Sequence, residues 1–168
     1  MDLLERLLRH DSSITLELLR FAADIDDAAL DREFDLGLRT VRRTLRHLVE
    51  CNEDWLDQMQ GQSARWDELD RQMPIDMLTT RYRTVADEFY AFARRVSEEG
   101  RLDDTFIDPN HNPPSRKTFG GCITHLATHA MHHRAQLLFM LRRLGVADVP
   151  EGDALSWERQ YRGGWAPA

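Results

Sequence analysis

At 168 residues, with 42% hydrophobic and 30% charged side chains, the chain is long enough to bury a core and fits one domain, residues 1–168. Its formal charge of -7 repels phosphate backbones and excludes nucleic acid as a first expectation for a partner. No apolar run approaches the roughly 20 residues of a membrane helix, and Asp2, Glu5 and Arg6 leave no continuous apolar leader, so no membrane partner and a cytoplasmic location are expected.

Helical periodicity opens with Leu3, Leu4, Leu7 and Leu8, and Asp11, Ser12 and Ser13 offer a cap at which the helix would restart towards Ile14, Leu18, Leu19 and Ala22. Residues 31–37 are polar and read as a connection. Val41, Leu45, Leu48, Trp55 and Met59 recur at helical spacing and predict a second helix over 38–59. Residues 61–73, with Trp66 among them, are irregular. Pro74 suits the first position of a third helix through residue 97, with Val85, Phe89, Phe92 and Val96 as its stripe and Gly100 as its stop. The breaker-rich segment 108–115 predicts a loop. A fourth helix is expected from Phe119 or Gly121 to Leu144, ended by Gly145. In the tail, residues 155–161 suggest a short helix, and Trp157 and Trp165 suggest that it docks on the body. No persuasive strand pattern competes, so the expected fold is all-α, an up-down four-helix bundle. The two cysteines, Cys51 and Cys122, fall in different predicted helices, which fits a reducing compartment better than a disulfide framework.

Four of the seven histidines, His125, His129, His132 and His133, fall within nine residues of the fourth helix. Residues four apart stack on one helix face, so His125, His129 and His133 form a ladder whose imidazoles can converge on one ion. The apolar stripe is set by Leu126, Ala130, Leu137, Met140, Leu141 and Leu144. At about 100° per residue, His133 lies within roughly 20° of Leu126 and His129 about 60° away, so both face inward. His125 and His132 fall about 100–120° away, towards loops, supporting positions or solvent. Two inward imidazoles without partners would forfeit hydrogen bonds, whereas a metal ion satisfies both nitrogens. A third ligand must come from another helix. His47 sits at the edge of the second helix's apolar face, and Glu50, Cys51, Glu53 and Asp54 compete with it; spacing does not choose among them. Cys51 also reads as a small buried hydrophobe.

The stretch from His125 through His129, His132, His133, Arg134 and Gln136 and on through Leu141, Arg142, Arg143, Leu144 and Gly145 resembles the C-terminal signature of the DinB-like (damage-inducible B) family. The segment from His47 through Glu50 and Glu53 to Trp55 resembles its second-helix element, and His10, Asp11 and the passage from Thr118 to Gly121 also fit its pattern. Ala135 stands where that family often has Gly. The resemblance covers nearly the whole chain and implies a four-helix bundle, often a homodimer, with His47, His129 and His133 holding a divalent metal ion. Zinc or nickel is the leading expectation and iron the next, since imidazole suits all three. Three neutral imidazoles leave the ion's charge unneutralised and coordination positions open, the pattern of catalytic sites. By analogy with related thiol-dependent bundles, the resemblance implies a metal-dependent enzyme that transfers a low-molecular-weight thiol to an electrophilic small-molecule substrate. A metal-dependent hydrolase and a non-catalytic, metal-stabilised dimeric binding or stress-response module are the alternatives. Arg134 is expected either to orient an anionic group or to brace the bundle through an ion pair, with the structural role favoured; Gln136 lies near the stripe margin as a ligand support or a plain boundary residue, and Glu53 reads as a support for His47 or as a helix-surface acid.

Overall fold

A computed structural model describes residues 1–65, 72–110 and 112–161; Trp66 and Trp165 lie outside the described residues. Four long helices carry the chain: α1 (Leu3–Ala23), α3 (Val41–Gln60), α4 (Ile75–Glu98) and α5 (Phe119–Arg143). Short elements fill the connections: α2 (Asp27–Leu30), an antiparallel hairpin of β1 (Thr105–Asp108) and β2 (Ser115–Thr118), and α6 (Ala154–Tyr161) in the tail. The protein is therefore mostly helical, with one two-stranded sheet among the described residues.

Local chemistry sets the helix ends. The Asp2 carboxylate accepts from the Glu5 amide at 2.8 Å, Thr40 Oγ1 from Arg43 at 3.1 Å and Thr118 Oγ1 from Gly121 at 3.0 Å, each satisfying an orphan first-turn donor. Pro74 takes an extended conformation just before α4, one position earlier than its spacing suggests. α3 terminates on Gly61 in the left-handed region (φ 67°). α1 does not restart at Asp11. Ser12 Oγ donates back to the Arg9 carbonyl (3.2 Å) and Thr15 Oγ1 to the Asp11 carbonyl (2.9 Å), so these hydroxyls serve the preceding turn instead of capping a new one. The Asp11 carboxylate turns to Arg134 of α5.

α1 packs against α4 and α5, and α3 against the same two helices, around Leu18, Leu19, Leu45, Leu48, Leu78, Tyr82, Leu137 and Met140. Asp2 at the start of α1 pairs with Arg94 near the end of α4, so these helices run in opposite directions. α3 and α4 run the same way: Arg42 reaches the Met73 carbonyl beside the start of α4, and Glu53 pairs with Arg81 further along both. Plain up-down alternation, expected from the sequence, is thus not followed between α3 and α4. The connection between Gly61 and Pro74 is long enough to return beside the roughly 30 Å of α3, because an extended chain covers about 3.3–3.6 Å per residue. The hairpin escaped the sequence pattern because four-residue strands beside a breaker cluster carry almost no alternation. Phe106 of β1 stacks on Phe119 (centroids 5.8 Å apart) and meets Trp55 edge-on, which seats the hairpin over the start of α5. In the tail, Trp157 is buried against His10 of α1, whose Nε2 bonds to the Gly152 carbonyl at 3.0 Å.

Charged groups inside the bundle are paired. Arg134 and Asp11 join α5 to α1 with side-chain exposures of 5% and 13%. Arg42 clamps Asp27 and Asp31 around α2, and Arg81 grips Glu53 with two bonds of 3.0 and 2.8 Å. Removing one partner of such a pair leaves a buried charge alone. Asp11→Ala is expected to cost about 3–5 kcal/mol of unfolding free energy, read as a fall in the denaturant midpoint, while Asp11→Leu combined with Arg134→Met recovers most of it. An unchanged midpoint in Asp11→Ala would show that the pair does not bind α1 to α5.

Candidate metal centre

Two side-chain ladders face each other where α3 crosses α5. On α3, His47, Cys51 and Trp55 follow at intervals of four; on α5, His125, His129 and His133 do the same. The helices are antiparallel here, so the His47 end of one ladder meets His129 and His133, and the Trp55 end meets His125. His133 is 7% exposed, His47 and His129 are half-buried, and His125 and His132 are exposed. The edge position of His47, which made it ambiguous by phase, is what lets it reach across the groove instead of into the core.

The structure brings together the three histidines singled out in the sequence. His47 Nε2 lies 3.2 Å from His129 Nε2, and His133 Nε2 lies 3.1 Å from the same atom. The Cys51 thiol sits 3.4 Å from His47 Nε2. His47, Cys51 and His129 each offer a ligand atom, all within 4.8 Å of one another. Metal–nitrogen bonds of about 2.0–2.1 Å at tetrahedral angles put ligand nitrogens about 3.3 Å apart, and a metal–sulfur bond of about 2.3 Å gives about 3.6 Å between sulfur and nitrogen. The two spacings through His129 Nε2 and the sulfur spacing to His47 fall close to these values, and the group whose donor atoms all lie within 4.8 Å of one another is His47, Cys51 and His129, with His133 joined to it through His129. Other arrangements satisfy these atoms poorly, because one proton on His129 Nε2 cannot serve two neighbouring ring nitrogens at once.

The acids that competed with His47 for the role of third ligand are engaged elsewhere. Glu50 pairs with Arg46 (3.0 Å), Glu53 with Arg81, and Asp54 accepts from Asn110 Nδ2 at 3.3 Å. Glu53 accordingly braces α4 and does not support His47. Arg134 is bound to Asp11 and serves the bundle.

Burial decides the protonation of the cluster. Desolvation pulls His47 and His129 down to about 4, with neighbouring imidazoles adding to the effect, and lowers His133 as well. All three are neutral near pH 7, the ligating form. Desolvation also pushes the Cys51 thiol up to about 12, so without a cation it stays protonated.

Gln136 orients one of the rings. His133 Nδ1 donates to Gln136 Oε1 at 3.0 Å, which leaves the His133 Nε2 lone pair facing His129. The Gln136 amide nitrogen donates to His132 Nε2 at 2.8 Å, fixing which way the amide points. Gly37 closes over this amide. A Cβ there would lie 2.6 Å from Gln136 Cδ and 2.7 Å from Nε2, and φ is +48°, so glycine answers both demands. Sequence reasoning placed Gln136 near the site but had no signal for Gly37, which is distant in the chain. Gln136→Leu and Gly37→Ala are each expected to weaken zinc binding about 10–100-fold in competition with a chromogenic chelator. Equal affinity in both variants and the parent protein would remove Gln136 from the site.

Among the described residues, no helix is long and apolar enough to cross a membrane. A search of curated proteins finds no match. The DinB family model matches residues 2–160, a span that contains both ladders and every long helix, and the chain therefore belongs to the DinB family.

Proposed function

We propose that this protein is a divalent-metal-dependent enzyme that transfers a low-molecular-weight thiol to an electrophilic small molecule. His47, His129 and His133 hold the ion, zinc or nickel in the first instance and iron next. The observation that carries the reading is that His129 Nε2 lies 3.2 Å from His47 Nε2 on the facing helix and 3.1 Å from His133 Nε2, with burial holding all three rings neutral. When bound, the ion supplies a Lewis acid able to hold a thiol in its thiolate form. The chain's own contributions are separate from that. Gln136 fixes the His133 tautomer, Arg46 and Arg81 draw the α3 carboxylates away from the donor set, and the buried leucines beneath exclude water. The choice of thiol transfer follows the resemblance to thiol-dependent bundles of this family.

The setting we propose is a cytoplasmic homodimer of single-domain four-helix bundles. Met131 and Phe139, exposed two turns apart on the outer face of α5, support a dimer surface there. Cys51 favours a second reading, a metal-stabilised module without catalysis: as a fourth ligand its thiol would close the coordination sphere.

The test is metal analysis of protein purified without a His-tag or chelator, alongside His129→Ala/His133→Ala, followed by thiol-consumption assays with a reactive aryl halide. A stoichiometric ion and metal-dependent thiol transfer, both lost in the variant, are expected. A bound ion with no transfer for any thiol would favour the closed module, and no ion after zinc, nickel and iron are offered would refute the metal centre.

A further inference from the structure

One helical turn beyond the metal centre, both ladders open into a cavity of about 600 Å³. Trp55 and His125, the next rungs after Cys51 and His129, form one wall, and Arg116, Lys117 and Thr118 of β2 with Cys122 of α5 form much of the rest. The His125 ring lies 5.3 Å from that of His129 and 5.9 Å from that of Trp55, so His125 stands between the cavity, which it lines, and the histidine cluster, whose members do not line it. Among the described residues no carboxylate lines it, although the chain carries a net charge of -7.

Lys117 is the single lysine in the sequence, among 22 basic residues. Arginine serves every ion pair in the described structure. Lys117 is half-buried in the cavity wall, and its ammonium makes no hydrogen bond or ion pair among the described residues. Its neighbour Arg116 is held by Thr105 Oγ1 at 2.9 Å. The first amides of α5 are also occupied: Phe119 donates to the Asp104 carbonyl, Gly120 to the Leu102 carbonyl and Gly121 to Thr118 Oγ1. Arg116 keeps its charge and further N–H donors beside that bond and is exposed, so the cavity wall carries two cations, of which Lys117 is the half-buried one and the anchor argued for here. One free ammonium matches one carboxylate, a compact point charge on a flexible stem. Trp55 offers an apolar face for the body of such a molecule. The Cys122 thiol, pushed up to about 11 by burial, is not a nucleophile competing for it.

We infer that this cavity is the substrate pocket and that it selects a small carboxylate-bearing molecule. The carboxylate is anchored on Lys117, the apolar body lies against Trp55 and the reacting end points past His125 towards His129. This inference rests on the metal-centre reading for its meaning, but the carboxylate anchor can be tested without the ion.

Lysine acylation provides the readout, because Lys117 and the N-terminus are the only primary amines. Metal-free and zinc-loaded protein are acetylated with a water-soluble N-hydroxysuccinimide ester, and both amines are followed by mass spectrometry with 3-phenylpropionate, 3-phenylpropanol or inorganic phosphate present. The carboxylate is expected to slow acetylation of Lys117 in both forms and leave the N-terminus unchanged, while the alcohol and phosphate have little effect. Calorimetric affinity for 3-phenylpropionate should fall about tenfold or more in Lys117→Met and be largely kept in Lys117→Arg. Acetylation of Lys117 at the same rate with and without the carboxylate, or equal protection by the alcohol, would overturn the inference. Protection by phosphate alone would overturn the choice of carboxylate. Zinc content is measured on the same samples. Protection in a protein that binds no zinc leaves the pocket standing without the metal reading, and zinc binding without protection leaves the reverse.

Discussion

The register of α3 against α5 is the constraint on which the rest depends. Both helices present a ladder at intervals of four, and the ladders mesh only because the helices are antiparallel and aligned so that His47 falls between His129 and His133. A shift of one residue along either helix turns its ladder by about 100° and moves it out of the groove. The alignment is held from beneath by fully buried leucines, Leu45 and Leu48 on α3 and Leu137 and Leu141 on α5. Well-packed cores resist such slips because any displacement opens voids or forces overlaps. The apolar core thus positions a polar cluster that contributes little cohesion of its own.

That cluster also has to be kept free of acids. α3 carries Glu50, Glu53 and Asp54 within two turns of His47, and any of them could bind a cation. Arg46, Arg81 and Asn110 engage all three. The ion pairs of this face therefore have two consequences, tying α3 to α4 through Arg81 and leaving imidazole and thiol groups as the donors in the groove. A neutral imidazole set retains the full charge of a divalent ion, which a carboxylate ligand would partly cancel. Burial works in the same direction by favouring the uncharged form of each ring.

Much of this was legible in the sequence, and unevenly so. The four long helices follow from apolar spacing and from stops such as Gly100 and Gly145, whereas the caps Thr40 and Thr118 emerge only in the structure. The inward direction of His129 and His133 follows from phase on a single helix, because both are measured against one stripe. His47 does not: its partners lie on another helix, and an edge position reads equally well as solvated, so only the family resemblance singled it out. The parallel run of α3 and α4 was hidden in a connection whose length permits either direction. Gly37 and Gln136 meet through tertiary structure alone. Lys117 is conspicuous as a lone lysine, but its meaning depends on a hairpin too short to show periodicity, which carries it to the edge of the same groove.

The central claim is that imidazoles from α3 and α5 bind one ion together. X-ray absorption at the zinc edge of the loaded protein tests it most directly. The account predicts nitrogen scatterers at about 2.0–2.1 Å with the outer-shell pattern of three imidazole rings, whether or not sulfur is also present at about 2.3 Å. A shell of oxygen alone, with no imidazole pattern, would contradict it.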